Sequence, residues 1–434
     1  MFAVRSRSTA SANRRLFDAS NQTMKRSRAA ALAFVGFACA LAASACGADN
    51  SGPRADVKIQ PVAEAVPVAG PVLHGNYVVW GTGSVEGSEP IEPIRIFGAR
   101  PAGSPQLLYE LPLARNRPES LSGLAGSRDT VAFVRGWDIC YPPQSGSCLD
   151  ADTTFDVRAS GADVRVGAPN RRFHALEPAG ENCLTYGPDV DGTRVAFARD
   201  CSVCPCGQLG IDDVADSTPP RILARSWQLF EQVRVAGNYV AGSTPREIFV
   251  HDLKTGRKIT YRPPLPPPTF WAHRMVEVPF QFDLQADGKA VAVWGYDEET
   301  KTAWFSPEEP DAHALPFGPF FDSNSLAIAI RLAGDRIAFE RKVGDAKSDL
   351  VVADLGGKVE QVASFDRNHL PVGGFDFDGN QLTWASQEVV GFTKQCNGPP
   401  ENPRRDCWPR PAGPTTIYVA RLRLGTPGLS TVSP

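Results

Sequence analysis

The chain has 434 residues, with 45 Lys or Arg against 48 Asp or Glu and a formal net charge of −3. Seven of those basic residues and only one of the acidic ones fall within residues 1–45, so the rest of the chain carries 38 basic against 47 acidic side chains. A body that acidic repels phosphates and anionic lipid surfaces, which excludes nucleic-acid binding and electrostatic docking to membranes as functions.

The first recognisable element is Met24-Lys25-Arg26-Ser27-Arg28 followed by the apolar run Ala29 to Ala43. A basic start and an apolar stretch too short to span a bilayer have the form of an export signal. Residues 1–45 are therefore expected to be a signal region. Met24 is the expected true start, with an unusually long basic region as the alternative. Cleavage after Ala43-Ser44-Ala45 would expose Cys46, ahead of the small polar stretch Gly47 to Gly52. These residues resemble a bacterial lipoprotein signal, which implies a lipid anchor on Cys46, residues 46–56 as a tether, and a place at the outer face of the membrane or in the cell envelope. Ala43 departs from the pattern, where Leu is commoner, and simple secretion is the alternative.

Val57 to Val66 reads as a strand without a turn of its own. One phrase then recurs. It first reads Leu73-His74-Gly75-Asn76-Tyr77-Val78-Val79-Trp80, and returns around Gly192, Gly237, Gly288, Gly334 and Gly379, with a looser, longer copy at Gly126. Gly beside Asp or Asn supplies the positive φ of a tight hairpin, and the β-branched and aromatic residues after it favour a strand. The glycines are spaced by 51, 66, 45, 51, 46 and 45 residues. A period near 50 built of short strands predicts an all-β, seven-bladed β-propeller of four-stranded blades over residues 57–430, with the strand at Val57 closing the last blade. The repeats resemble those of the TolB-type propeller family, in which a turn of the Asp-Gly kind precedes a Val-Ala-Phe or Val-Ala-Trp strand. That resemblance covers about residues 70–425 and speaks to architecture.

Three blades carry cysteines. Cys140 and Cys148 lie in an insertion of blade 2, Cys183, Cys201, Cys204 and Cys206 in blade 3, and Cys396 and Cys407 in a long loop of blade 7. Setting aside Cys39 of the signal region and Cys46 leaves these eight, an even number suited to an oxidising compartment. Cys140–Cys148 and Cys396–Cys407 read as local disulfides, each stabilising by about 2–3 kcal/mol. The blade 3 set reads as two disulfides of open pairing. Zinc is the alternative, though the three clustered sulfurs sit too close together in sequence to ligate one ion easily.

The acidic turns at Asp189-Val190-Asp191 and Asp376-Phe377-Asp378 read as turn chemistry rather than calcium sites. Trp80, Phe133, Phe197, Phe339 and Trp384, at matched places after the turns, read as packing between blades. The run Pro263 to Pro268 ending in Phe270 and Trp271 reads as a rigid connector, with partner docking as the other reading. None of the six His lies in a metal-binding His pair, and no nucleophile elbow or phosphate-cradling loop occurs. Neither a metal nor a cofactor is expected. Asp138, Asp297 and Glu298, placed after second strands, and Trp271 are the candidates for a binding face.

The sequence thus predicts a monomeric, non-enzymatic binding or scaffolding propeller with an envelope protein or glycan as partner. The alternative is a hydrolase or lyase acting on a glycan or peptide at the central funnel, and a third reading is an enzyme that has lost its activity.

Overall fold

The computed structural model describes residues 57–422 apart from 66, 68, 84–92, 112–118, 142–155, 170, 177–182, 202–203, 217, 265–268, 272–273, 277–279, 296–300, 318–329, 345–346 and 397–406. All the described residues belong to one unit, Ser51–Pro434. They form strands and turns and contain no helix.

The protein is a seven-bladed β-propeller. Blades 1 to 6 each contain four antiparallel strands consecutive in sequence. Blade 4 shows the unit at its simplest: Gln232–Ala236, Tyr239–Ser243, Ile248–Asp252 and Lys258–Tyr261, paired in that order. Blades 2 and 3 are also joined to each other by a single bridge, Leu184 to Ala162. In blade 7 the chain supplies His369–Phe377, Gln381–Glu388 and Thr415–Leu422, and the fourth strand is Val57–Glu64 from the N-terminal side. Val57 lies opposite Leu422 and Glu64 opposite Thr416, so the closing strand runs the full length of its partner.

The first strands stand side by side around the axis. Each contacts the first strand of the next blade, and that of blade 7 contacts that of blade 1. The hydrophobic core is correspondingly divided into seven clusters, one per seam. The aromatic residues after the turns belong to these clusters. Trp80 packs at the seam of blades 7 and 1, Phe133 at 1 and 2, Phe197 at 2 and 3, Phe339 at 5 and 6, and Trp384 at 6 and 7. All five are buried. In blade 4 the matching position is Gly242, and the ring comes instead from Phe230, which lies 2.7 Å from where a Cβ on Gly242 would sit.

Gly75, Gly192, Gly237, Gly288, Gly334 and Gly379 all have positive φ at the turn between the first and second strands. Gly126 does not: it is the last residue of the strand Glu119–Gly126, and the blade 2 turn is made by Ser127 to Thr130. The Ser127 hydroxyl donates to the Gly192 carbonyl of blade 3 at 2.9 Å. Gly126 is required for another reason, since the Leu73 carbonyl oxygen of blade 1 lies 2.3 Å from where its Cβ would be.

Candidate recognition face and the charged ring at the axis

A four-stranded antiparallel blade has two ends. The turns joining strands one to two and three to four share one end, here called the turn end. The turns joining strands two to three, and the connectors between blades, share the other, here called the insertion end.

The insertion end carries the elaborations. In blade 2 the second and third strands, Val131–Tyr141 and Asp156–Ala168, extend towards it over 11 and 13 residues, against 5 residues in each of the corresponding strands of blade 4. In blade 7 a further hairpin, Gly391–Cys396 paired with Cys407–Ala412, is inserted between the second and third strands. The connector between blades 4 and 5 also contains a hairpin, Thr269–Trp271 with Arg274–Val276, and residues 265–268 of the proline run before it lie outside the described residues.

The expected binding-face residues fall as follows. Asp138 does not follow the second strand of blade 2 but lies within it, opposite Ser160, because the strand continues to Tyr141. Trp271 lies opposite Arg274 in the connector hairpin. Asp297, Glu298, Cys46 and Cys148 lie outside the described residues. Cys140 is in a strand opposite Val157. Cys396 and Cys407 are directly opposite each other. Cys183 is opposite Cys201, Cys201 is also opposite Cys204, and Cys206 lies two residues further along the strand Cys204–Asp213.

Sequence reasoning missed the apolar groups at this end. Among the described residues, seven large hydrophobic side chains are exposed, and five of them, Leu184, Trp227, Leu229, Val343 and Val390, belong to the insertion end. Trp227, on the connector from blade 3 to blade 4, is 89% exposed. Single exposed Leu or Val residues are ordinary, but an indole left in water is the type of group that anchors interfaces.

The same end holds a carboxylate whose ionisation is perturbed. The Ser348 hydroxyl of blade 6 donates to the Glu340 carboxylate. Burial pushes that carboxyl up to about 7, against the pull of the hydroxyl. On the opposite face of that strand pair, Asp349 accepts hydrogen bonds from Ser364 Oγ at 2.7 Å and Gln361 Nε2 at 3.0 Å, and faces Arg341 at 3.3 Å. A cleft of about 470 Å³ opens at the seam of blades 6 and 7, between Val57 and Ile59 of the closing strand, Gln361 and Ser364 of blade 6, and Trp384 and Tyr418 of blade 7. Its walls include both outermost strands of that seam, so it lies away from the axis.

At the axis, the first strands follow one rule. The apolar residue next to the turn faces the preceding blade, and the residue before it faces the following blade. Val72 and Ala125 hold that second position in blades 1 and 2, packing into the following seams. In blades 3 to 7 it is occupied by Asp189, Arg234, Asp283, Arg331 and Asp376. Arg234 Nε donates to Asp283 at 2.9 Å, and Arg331 Nε to Asp376 at 3.4 Å. Each carboxylate also accepts a backbone N–H of the next blade: Asp189 from Val235 at 2.7 Å, Asp283 from Leu332 at 2.6 Å, and Asp376 from Leu73 at 2.8 Å.

This corrects the reading of Asp189 and Asp376 as turn residues. They tie blades together, whereas Asp378 does serve its turn, accepting from Asn380 and Gln381. Burial pushes Asp189 up to about 6, partly offset by Arg234, and raises Asp376 against the pull of Arg331. Burial opposes the charge on Arg331, but Asp283, Asp376 and Asp189 outweigh it and hold the guanidinium charged. The ring is committed to joining blades. Among the described residues no three His, Cys, Asp or Glu side chains are grouped to hold a metal ion.

No family model matches the chain, and no curated protein matches it. Solved structures that resemble it include an oligogalacturonate lyase in complex with manganese, at 11% identity and a TM-score of 0.49, covering 86% of this chain and 98% of that one. Another is an acylaminoacyl peptidase from Pyrococcus horikoshii, at 10% identity and 0.45, covering 75% of this chain and 50% of the peptidase. A structure from a study of two prolyl endopeptidases matches at 16% identity and 0.40, covering 68% of this chain. This chain spans 40% of the length of that protein.

Proposed function

We propose that this protein is an exported, lipid-anchored binding propeller of the TolB-like type that presents its insertion end to an envelope protein or glycan. One observation carries the reading: the exposed apolar groups Leu184, Trp227, Leu229, Val343 and Val390 share an end with the inserted hairpins and the cysteines. Insertions in repeat proteins map to the binding face, and exposed Trp supplies large contact area. The closing strand adds support. Val57 lies opposite Leu422, beside the turn at Gly379, so the chain enters the propeller at the turn end, opposite the elaborated one. An anchor upstream of Val57 would leave the insertion end free to face outward.

The intact mass of protein from the membrane fraction tests the anchor, and gentle cross-linking in cells tests the binding. A mature chain beginning at acylated Cys46 and recovered with an envelope protein or glycan is expected. A chain that retains residues 1–45, or that is recovered alone, contradicts the reading.

The second reading is a hydrolase or lyase acting on a glycan or peptide, and the observation that favours it lies not at the central funnel but at Glu340, on the second strand of blade 6, whose carboxylate takes the Ser348 hydroxyl. A carboxyl held near 7 can serve as acid or base at neutral pH. Turnover of an envelope glycan or peptide that Glu340→Gln abolishes would establish it. Turnover unaffected by that change would remove Glu340 from it.

A further inference from the structure

Strand order in blade 3 resolves a pairing that sequence leaves open. Its four cysteines allow three connectivities. The first three strands run Cys183–Asp191, Arg194–Cys201 and Cys204–Asp213, with the second lying between the other two. Cys183, Cys201 and Cys204 stand level across them. Directly opposed residues of an antiparallel pair have Cα atoms about 4.5–5.5 Å apart, within the range a disulfide spans. Residues two strands apart are separated by about 9–10 Å, beyond it. The backbone spacing therefore allows a bridge from Cys183 to Cys201 and excludes one to Cys204 or Cys206.

We infer that blade 3 carries a cross-strand disulfide between Cys183 and Cys201, and that Cys204 and Cys206 close a second, short-range bridge. The register supports the second bridge too. Arg199 lies opposite Gln208 while Cys201 lies opposite Cys204, so Pro205, Cys206 and Gly207 together face the single residue Asp200. Such a bulge shortens the path between the two ends of Cys-Pro-Cys, and Pro205 has no N–H to lose from the ladder. Each bridge forms by exchange with a protein or small-molecule disulfide. Two cysteine thiols give up two protons and two electrons, and the incoming disulfide leaves as two thiols. The bridge across one intervening residue is the more strained, so added thiol opens it first. The first bridge fixes the insertion end of the strand that bears exposed Leu184.

The inference rests on the export part of the proposed function, and Cys396 opposite Cys407 serves as the internal reference. The test is peptide mapping of the unreduced, full-length exported protein, with electron-transfer fragmentation to separate Cys201 from Cys204. The expected map links Cys183 to Cys201 and Cys204 to Cys206, with Cys396 joined to Cys407. A link from Cys183 to Cys204 or Cys206, while Cys396–Cys407 is intact, overturns the pairing alone. Free thiols at all these positions, or zinc retained in the native mass, overturn the pairing and the export reading together. The double variant Cys204→Ser/Cys206→Ser should keep the Cys183–Cys201 link, and its loss there counts against the inference. Under graded reductant, Cys204 and Cys206 should be alkylated before Cys183 and Cys201. The reverse order contradicts the strained second bridge.

Discussion

Arg234 of blade 4 and Asp283 of blade 5 form an ion pair at 2.9 Å with little exposure on either side, and the second oxygen of that carboxylate takes the Leu332 N–H of blade 6. One side chain therefore joins three blades. Removing it leaves a poorly solvated guanidinium without this partner and a backbone donor without its acceptor. Asp283→Ala should cost about 3–5 kcal/mol, seen as a lower urea midpoint. Asp283→Asn, which keeps an acceptor, should cost less. A midpoint unchanged by Asp283→Ala would mean that the ring does not hold the blades.

The buried carboxylates set a pH dependence. Asp189 at about 6 and Glu340 at about 7 both lie above the value of about 4 expected for unfolded carboxylates. A raised folded-state value contributes stability that is present at low pH and lost as pH rises through that value. Urea midpoints should therefore fall between about pH 4 and pH 7. Asp189→Asn retains an acceptor for Val235 and should flatten the lower part of that fall, gaining roughly 1–3 kcal/mol at pH 8. Glu340→Gln should flatten the upper part. Profiles identical to the parent would show that neither group is the source.

Gly126 and Gly334 should respond differently to Asn. Gly334 has positive φ and nothing within 4 Å of its Cβ position, and Asn tolerates that backbone, so Gly334→Asn should cost less than about 1 kcal/mol. Gly126 lacks the positive φ but would meet the Leu73 carbonyl, so Gly126→Asn should lower stability by more than about 1–3 kcal/mol. Thermal melting of the pair distinguishes a conformational requirement from a steric one.

Those two glycines show what the sequence made legible. Six of the seven turns could be placed because a short hairpin demands positive φ and Gly is the cheapest way to supply it. Gly126 looked like a seventh, yet it stands opposite Val131 at the end of the first strand, where Leu73 and Val190 stand in their own blades, and its role is set by a carbonyl more than 50 residues earlier in the chain, which no local reading contains. The charged ring stayed hidden for the same reason. Asp189 and Asp376 sit beside turns, and their partners lie one blade away. Superposing the repeats on their turn glycines would have shown Asp189, Arg234, Arg331 and Asp376 at one position in four blades, while Asp283 falls out of step because two more residues separate it from the blade 5 turn glycine. Trp227 was passed over because exposure of a Trp in a connector leaves no mark on the sequence.

Trp227 should matter for binding and little for folding. Trp227→Ala should change stability by less than about 0.5 kcal/mol. It should weaken recovery of the envelope partner by about tenfold or more, as loss of an interface anchor does. Equal recovery with and without the indole would move the binding face elsewhere.

The most direct test of the account places a photoreactive residue at Trp227 or Val343 on the insertion end, and at exposed Lys254 on the turn end, in protein produced and exported in its own cells. The account predicts a discrete adduct with an envelope protein or glycan from Trp227 and Val343 and none from Lys254. Adducts from Lys254 alone, or none from any position, would contradict it.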